Sequence, residues 1–211
     1  LTLEDHRFED GPGGRRSASI PEWSVEKIRR IGGDAVKVLA WYRPDAAPEV
    51  IAHQQAYVRS VGEACRRFDL PFVFELLVYP FRDATHDYVE DSTTRPEMVI
   101  QSVEAFADPA YGVDIFKLES PLPAAQVPEP GAARSTEVQR WFDRLGEAAG
   151  RPWVMLSAGA SAAAFERVLH YAFKAGASGF LAGRAIWWDA FQHYPDLAAI
   201  RTGLARDGRA Y

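Results

Sequence analysis

A lysine and a glutamate lie two residues apart, as Lys117 and Glu119, within the otherwise apolar stretch V-D-I-F-K-L-E-S-P at 113–121. Successive residues of a strand alternate between its two faces, so this spacing predicts that both charges share one face with Ile115. An unpaired charge is strongly unfavourable in a buried strand. The two side chains are therefore expected either to neutralise a partner or to take part in chemistry.

Three other apolar stretches each hold a polar side chain near the centre or the carboxyl end: Lys37 in A-V-K-V-L-A-W, Glu75 in P-F-V-F-E-L-L-V and Ser157 in W-V-M-L-S-A. If these side chains point to the same side of a sheet as Lys117 and Glu119, they converge near one rim. For any one of them alone, a strand-end charge that reaches solvent is an equally good explanation. Four such strands in succession favour a common site.

Two lysines in an apolar enclosure have a specific chemical consequence. Burial and a neighbouring cation both disfavour the ammonium form, so one of the two amines can be neutral near pH 7 and attack a carbonyl carbon. The product is a Schiff base, whose protonated imine accepts electrons during C–C cleavage. A nearby carboxylate, Glu75 or Glu119, can move the protons that these steps require. This chemistry needs no metal.

Metal catalysis and serine-based hydrolysis have weaker support. Ser157 lacks the G-x-S-x-G turn that presents a nucleophilic serine. The histidines are scattered without the spacing of metal ligands, at His6, His53, His86, His170 and His193. No metal or other cofactor is therefore expected.

Two glycine-containing turns follow the last two predicted strands, each directly before a helix: Ser157, Ala158 and Gly159 in S-A-G, and Gly183 and Arg184 in A-G-R. In barrels the loops after the last two strands commonly hold a phosphate, because backbone N–H groups can approach it where glycine leaves room. The Arg184 guanidinium can add a bidentate contact. One such turn is an ordinary helix start, whereas a pair on adjacent strands predicts a phosphate site.

Strands and helices alternate along the chain, and the strands are nearly continuous apolar runs, which predicts parallel strands covered by helices. The connections from helix to strand are short, as at 31–34 and 149–152, whereas several connections from strand to helix are long and polar. In a (β/α) barrel the latter gather on the rim that holds the active site. An open doubly wound sheet is the rival fold, but its glycine fingerprint follows none of the predicted strands.

The predicted strands are fewer than a closed barrel needs. Six are predicted, the first at 1–5, and a six-stranded remnant would leave two apolar edges exposed. We therefore expect an α/β fold of the (β/α)8 TIM-barrel type, with about the first two strand-helix units absent from this chain. Residues 1–211 are expected to form a single, N-terminally incomplete barrel domain.

The composition narrows the possible partners. The 211 residues are 47% hydrophobic and carry a formal net charge of −5, which argues against a nucleic-acid surface. The apolar runs are all shorter than the roughly 18 residues that a membrane span needs. Cys65 is the single cysteine, so an intrachain disulfide is excluded, and its helical position predicts a buried thiol. We expect a cytoplasmic protein that binds a small molecule rather than nucleic acid or a membrane.

Five blocks of sequence, taken in order, resemble the tagatose-1,6-bisphosphate aldolase family of class I, Schiff-base aldolases: D-A-V-K-V-L-A-W-Y, P-F-V-F-E-L-L-V-Y, V-D-I-F-K-L-E-S-P, P-W-V-M-L-S-A-G-A-S and G-A-S-G-F-L-A-G-R-A-I-W. The 6-deoxy-6-sulfofructose-1-phosphate aldolases are also similar, especially across 176–187. The likeness runs over about residues 1–187. The family's first two strands are not in this chain.

The resemblance implies a (β/α)8 barrel with Lys117 as the Schiff-base lysine, Glu75 as the acid/base group and Lys37 as a second active-site lysine. It further implies that the two glycine-containing turns bind phosphate, and Glu119 is expected in the same substrate site. The implied function is that of a lyase that cleaves a phosphorylated ketose such as tagatose 1,6-bisphosphate to dihydroxyacetone phosphate and an aldehyde. Alternatives are a sulfonated or other sugar phosphate as substrate, and a non-catalytic sugar-phosphate-binding or regulatory barrel. Members of the family are commonly homo-oligomers.

Overall fold

A computed structural model describes residues 1–82 and 91–206. Its strands and helices are, in chain order, β1 (Glu9–Gly11), β2 (Gly14–Arg16), α1 (Val25–Arg30), β3 (Val36–Trp41), α2 (Pro48–Phe68), β4 (Phe72–Leu77), α3 (Arg95–Glu104), β5 (Ile115–Leu118), α4 (Ser135–Ala149), β6 (Trp153–Leu156), α5 (Ala162–Lys174), β7 (Gly179–Leu181), α6 (Arg184–Phe191) and α7 (Leu197–Arg206).

Strands β3 to β7 form one five-stranded sheet in which every neighbouring pair is parallel. The strand order follows the chain order without a reversal. A doubly wound sheet reverses its order at a switch point, whereas the strands of a barrel follow one another around it. The described sheet therefore has the topology of a barrel wall, and the predicted α/β class with parallel strands is confirmed.

The helix-facing side of the sheet is the hydrophobic core. In β3, Val36, Val38 and Ala40 are all 0% exposed, whereas Lys37 between them is partly exposed. The ring of Phe74 in β4 packs edge-on against Phe106, with 5.0 Å between centroids. Each fully buried side chain of this size contributes roughly 1.5–3 kcal/mol. Strand alternation therefore leaves the opposite, inner face for polar side chains.

Helix α2 packs against β3 through an apolar stripe. Val50, Val58, Val61 and Cys65 are buried at helical spacing, and Pro48 occupies the first turn, where its missing N–H is not needed. The predicted buried thiol is confirmed, because Cys65 is 1% exposed.

A sixth parallel segment borders β3 at 1–5, where the sequence predicts a strand. Lys37 N donates to the Leu1 carbonyl at 2.8 Å, and Leu3 N donates to the Lys37 carbonyl at 3.0 Å. The structure assigns this pairing as an isolated parallel bridge between Thr2 and Lys37 rather than as an extended strand. The strand predicted at 1–5 is therefore reduced to a single parallel bridge beside β3.

The sequence pattern predicts no strand within 6–20, yet this stretch contains the antiparallel hairpin β1–β2. Arg15 N donates to Tyr79 Oη at 2.9 Å, and a Cβ on Gly14 would lie 2.4 Å from the same oxygen. The Arg15 guanidinium lies 4.7 Å from the ring centroids of Trp41 and Tyr79. The hairpin therefore packs against the carboxyl ends of β3 and β4.

Two predicted strands are shorter than the sequence pattern indicates. The strand expected at 113–121 is restricted to β5, since Asp114 accepts a hydrogen bond from Phe72 N through its side chain and the backbone after Leu118 leaves the ladder. The strand expected at 153–158 ends at Leu156, two residues before Ala158, which takes a left-handed conformation with φ 48°. Residues 83–90, part of the long loop predicted at 80–95 together with His86, lie outside the described residues.

Candidate active site

The side chains of Lys37, Glu75 and Lys117 meet on the inner face of the sheet. The register places Glu75 directly opposite Lys117, and opposite Leu39, which lies two residues after Lys37 on the same face. The Nζ atoms of Lys37 and Lys117 lie 2.8 and 2.9 Å from the same atom, Glu75 Oε2. The structure thus brings together three residues that the sequence places on separate strands, and their catalytic roles stay predictions.

Glu75 is an enclosed carboxylate between two cationic side chains. Its side chain is 9% exposed, against 28% for Lys37 and 19% for Lys117. Both lysine contacts reach the same carboxylate oxygen, Oε2. A carboxylate oxygen has lone pairs for more than one donor. Glu75 can therefore accept a proton from a hydroxyl group of a bound molecule.

Glu4 is a fourth charged member of this cluster and is not among the residues predicted from the sequence. Its Oε1 atom lies 2.6 Å from Lys37 Nζ, and its Oε2 atom accepts a hydrogen bond from the Thr2 hydroxyl. A signal was available, because L-T-L-E alternates apolar and polar residues and so places Thr2 and Glu4 on one strand face.

The charge of Lys37 follows from these contacts. Burial lowers the pKa of Lys37, but the hydrogen bond to Glu4 and the contact with Glu75 together outweigh burial, so the pKa of Lys37 is raised above its ordinary value. Lys37 is therefore an ammonium group at neutral pH.

Glu119 follows β5 close to Lys117, but its carboxylate meets other partners. Arg95 Nη2 lies 2.5 Å from Glu119 Oε2, and Val78 N donates to Oε1 at 2.6 Å. Both side chains of the ion pair are buried, at 8% and 7% exposure. Of the two carboxylates that the sequence left open as proton carriers, Glu75 is the one in contact with lysine. Glu119 instead joins the loops after β4 and β5 to the start of α3.

A cavity of about 710 Å³ lies at the carboxyl ends of the strands, beside this cluster. Trp41 and Trp187 contribute aromatic walls. The lining includes every predicted site residue except Lys37, namely Glu75, Lys117, Glu119, Ser157, Ala158, Gly159, Gly183 and Arg184. Lys37 is linked to the cavity through its contact with Glu75.

The two glycine-containing turns lie side by side on the cavity wall. Ala158 and Gly159 both have left-handed backbone conformations, with φ 48° and 76°. A Cβ on Gly159 would lie 2.8 Å from Arg184 Nη2, so only glycine lets the guanidinium pack this closely on the turn. The arrangement has the room and the cationic group that a phosphate needs, and phosphate binding itself stays a prediction.

Residues 1–82 and 91–206 lack two features of other protein classes. Groups of three or more His, Cys, Asp or Glu side chains placed to hold a metal ion are absent from these residues. None of the helices described is both long and apolar enough to cross a membrane.

Comparison with known proteins decides the family. The model of the DeoC/LacD family aldolases matches residues 9–189, which is most of the chain and includes the strands of the site. The chain belongs to the DeoC/LacD aldolase family. The resemblance seen in the five sequence blocks is thereby confirmed.

Relatives within the family include the tagatose 1,6-diphosphate aldolase of Lactococcus lactis subsp. lactis, 32% identical over 202 residues. The enzyme of the same name from Streptococcus pneumoniae serotype 4 is 35% identical over 202 residues. Each match covers 92% of this chain but 61% of the relative. The chain therefore spans less than two thirds of the length of these relatives.

Solved structures of aldolases have the same fold. A Schiff-base-forming fructose-1,6-bisphosphate aldolase matches with a TM-score of 0.60 over 97% of this chain and 69% of its own, at 21% identity. The fructose-bisphosphate aldolase of Plasmodium falciparum matches with a TM-score of 0.59 over 99% of this chain and 66% of its own, at 12% identity. The described sheet thus corresponds to part of a TIM-barrel aldolase fold.

Proposed function

We propose that the protein is a class I aldolase, a lyase that cleaves a phosphorylated ketose such as tagatose 1,6-bisphosphate to dihydroxyacetone phosphate and an aldehyde, or condenses them in reverse. The observation that carries this proposal is the meeting of Lys37 and Lys117 at one oxygen of Glu75, beside a cavity that also holds the Gly159–Arg184 contact. Membership of the DeoC/LacD family and the identity to tagatose 1,6-diphosphate aldolases support it.

Lys117 is the proposed nucleophile. Its neutral amine attacks the C2 carbonyl of the ketose, and loss of water from the carbinolamine leaves a protonated imine. The Glu75 carboxylate takes the proton of the C4 hydroxyl as the C3–C4 bond breaks. The electron pair of that bond enters the imine to form an enamine, and the aldehyde leaves. Protonation at C3 and hydrolysis of the imine then release dihydroxyacetone phosphate and restore Lys117.

The order of the strands gives the substrate a direction. The proposed phosphate turns follow β6 and β7, the Schiff-base lysine is on β5, Glu75 is on β4 and Lys37 is on β3. A ketose with its C1 phosphate beside Arg184 and its C2 on Lys117 extends along the sheet towards Glu75 and then β3. The aldehyde half of the substrate therefore lies towards Lys37 and Trp41.

The proposal for the whole protein is a single (β/α)8 barrel domain in which about two further strand-helix units complete the wall. The sequential strand order and the share of the relatives that this chain spans support it. A homo-oligomer located in the cytoplasm, with a sugar phosphate as its small-molecule partner, completes the proposal.

Borohydride reduction in the presence of dihydroxyacetone phosphate tests the Schiff base directly, because it converts the imine to a stable secondary amine. In the full-length protein we expect one adduct, mapped by mass spectrometry to Lys117, and its loss in Lys117→Met. The exposed Lys174→Met serves as the matched control and should leave labelling unchanged. Unlabelled Lys117 under saturating dihydroxyacetone phosphate overturns the proposal. Tight binding of that ligand without an adduct would instead indicate a non-catalytic sugar-phosphate-binding barrel.

Substrate choice within this chemistry is tested separately. 6-Deoxy-6-sulfofructose 1-phosphate shares the C1 phosphate and the C2 carbonyl with tagatose 1,6-bisphosphate. It differs in the configuration at C4, beside Glu75, and in the group at C6, which lies towards β3. Ratios of kcat/KM for this and other ketose phosphates against tagatose 1,6-bisphosphate identify the substrate. A tagatose 1,6-bisphosphate value at least about tenfold above the others would favour the ketose that names the relatives.

A further inference from the structure

The two lysines at Glu75 differ in the number of carboxylates that they meet. In the described part of the chain, Lys117 Nζ has one carboxylate contact, with Glu75 at 2.9 Å. Lys37 Nζ has two, with Glu75 at 2.8 Å and with Glu4 at 2.6 Å. Glu4 is itself well enclosed, with a side chain 11% exposed, and is held in place by the Thr2 hydroxyl.

The number of carboxylate contacts distinguishes two lysines whose surroundings are otherwise similar. The distances of the two Nζ atoms to Glu75 Oε2 are almost equal, and both side chains are mostly buried. With Glu75 alone, two amines of the same type would compete for one negative charge, and either could lose its proton. The second carboxylate, Glu4, stabilises the ammonium form of Lys37 only.

We propose that Glu4 is a positioning residue that keeps Lys37 charged and thereby makes Lys117 the amine that becomes neutral and attacks the substrate. The inference rests on the proposed Schiff-base function. The charged groups that face Lys37 are Glu4 from segment 1–5, Glu75 from β4 and Lys117 from β5. Tyr57 of α2 lies close enough to Glu4 to be affected by its charge, and it is neutral at the pH values of the test.

Glu4→Gln tests the proposal, since it keeps the volume of the side chain and removes its charge. In the full-length protein reduced with borohydride and dihydroxyacetone phosphate, we expect the ratio of adduct on Lys37 to adduct on Lys117 to rise by about tenfold or more, corresponding to one unit of relative proton affinity. The alkaline limb of kcat/KM should move to lower pH by on the order of one unit, because Lys37 then loses its proton earlier.

Two variants serve as controls. Glu4→Asp keeps the negative charge on a side chain one methylene shorter, so it should return the labelling ratio and the alkaline limb towards those of the parent. Glu26→Gln removes an exposed carboxylate of α1 outside the site and should leave both unchanged. A purely structural role of Glu4 would lower activity without moving label from one lysine to the other.

The outcomes separate this inference from the proposed function. If the parent protein forms no adduct on Lys117, the Schiff-base function fails. If the parent labels on Lys117 and Glu4→Gln shows the same labelling ratio and the same alkaline limb, the function stands and the role of Glu4 is wrong.

If Glu4→Gln does not fold, the inference is tested on the protein without substitutions. Limiting acetic anhydride acylates neutral amines, so its reaction with the substrate-free protein over a pH series reports which lysine loses its proton first. We expect Lys117 to be acetylated at lower pH than Lys37. Acetylation of Lys37 first, or of both in parallel, overturns the inference.

Discussion

One carboxylate oxygen of Glu75 contacts the Nζ atoms of both Lys37 and Lys117, so a substitution at Glu75 tests the arrangement of the site. Glu75→Gln keeps the volume of the side chain but removes both its negative charge and its capacity to accept a proton. We expect kcat for ketose cleavage to fall about 10²–10⁴-fold, the usual contribution of a positioned acid/base group. Steady-state kinetics with detection of dihydroxyacetone phosphate measure the loss.

The control for this substitution is Glu97→Gln, which changes a carboxylate that is 43% exposed and paired with Arg144 on neighbouring helices. Its kcat should stay within about twofold of the parent, because surface ion pairs contribute little. A Glu75→Gln protein that retains more than a tenth of the parent kcat would show that another group moves the proton.

At the scale of single residues, the sequence predicted what strand alternation alone can determine. Lys37, Glu75 and Lys117 each interrupt an apolar run, and a buried charge in such a run needs a partner. Glu4 was not predicted because its stretch is short and pairs through one bridge only, so its polar residues do not stand out against a long apolar run. The different partners of Glu75 and Glu119 depend on Arg95, which lies far from both in sequence.

Among the contacts between elements, the ion pair of Arg95 and Glu119 connects the start of α3 to the end of β5. Arg95→Met removes the guanidinium that pairs with the buried Glu119 carboxylate. We expect the free energy of unfolding to fall by about 3–5 kcal/mol, as for other buried pairs that lose one member. Urea denaturation followed by circular dichroism measures the change.

A matched substitution on the surface separates burial from charge in this test. Arg134→Met disrupts the exposed pair with Glu137 in α4, whose two side chains are each 53% exposed, and should leave the urea midpoint unchanged. Equal effects of Arg95→Met and Arg134→Met would contradict the structural role assigned to the buried pair.

The hairpin β1–β2 is held by a close backbone approach that only glycine permits. Gly14 has φ 135°, and a Cβ there would lie 2.4 Å from Tyr79 Oη. Gly14→Ala should therefore lower the free energy of unfolding by about 1–3 kcal/mol and expose the hairpin to limited proteolysis. In the same hairpin, Gly11→Ala meets its first atom at 3.8 Å and has no positive φ, so it should be neutral. A proteolytically resistant Gly14→Ala protein would show that the hairpin is held by other contacts.

Strands β3 to β7 could be predicted and this hairpin could not, for one physical reason. The parallel strands are nearly continuous apolar runs, so their own composition indicates that they are buried. The hairpin sequence, E-D-G-P-G-G-R-R, has almost no β-forming residues, and it is ordered by distant partners such as Tyr79 and Trp41.

At the scale of the whole molecule, the fold class followed from a pattern repeated along the chain, while the inner face depends on contacts between distant segments. Alternation of apolar strands with helices predicts helix-covered parallel strands wherever it occurs. The length and register of each strand are set by neighbours, as when Asp114 pairs with Phe72 N and shortens β5. The position of the site can therefore be predicted from the sequence, whereas the hydrogen bonds within the site depend on contacts between segments that lie far apart in the chain.

The burial of two side chains of helix α2, Cys65 and Tyr57, gives the protein an alkaline limit of stability. Burial raises the pKa of Cys65 from 9.0 to about 12, and burial raises the pKa of Tyr57 from 10.0 to about 12. Between about pH 9 and 12 the unfolded chain loses protons that the folded protein keeps. The stabilisation that comes from keeping these two groups protonated is therefore fully present below pH 9, and it declines as the pH rises from about 9 to 12.

We expect the free energy of unfolding to fall with a slope that Cys65 dominates between about pH 9 and 10 and that Tyr57 joins above pH 10, each contributing at most about 1.4 kcal/mol per pH unit. Urea denaturation at a series of pH values measures the slope. Cys65→Ala removes the first titration, so its curve should be flatter than that of the parent from pH 9 to 10 whatever its stability at pH 7. Because slopes rather than absolute stabilities are compared, the loss of packing in Cys65→Ala does not affect the test. Parallel curves for the two proteins over that range would mean that the folded protein ionises this thiol as readily as the unfolded chain does.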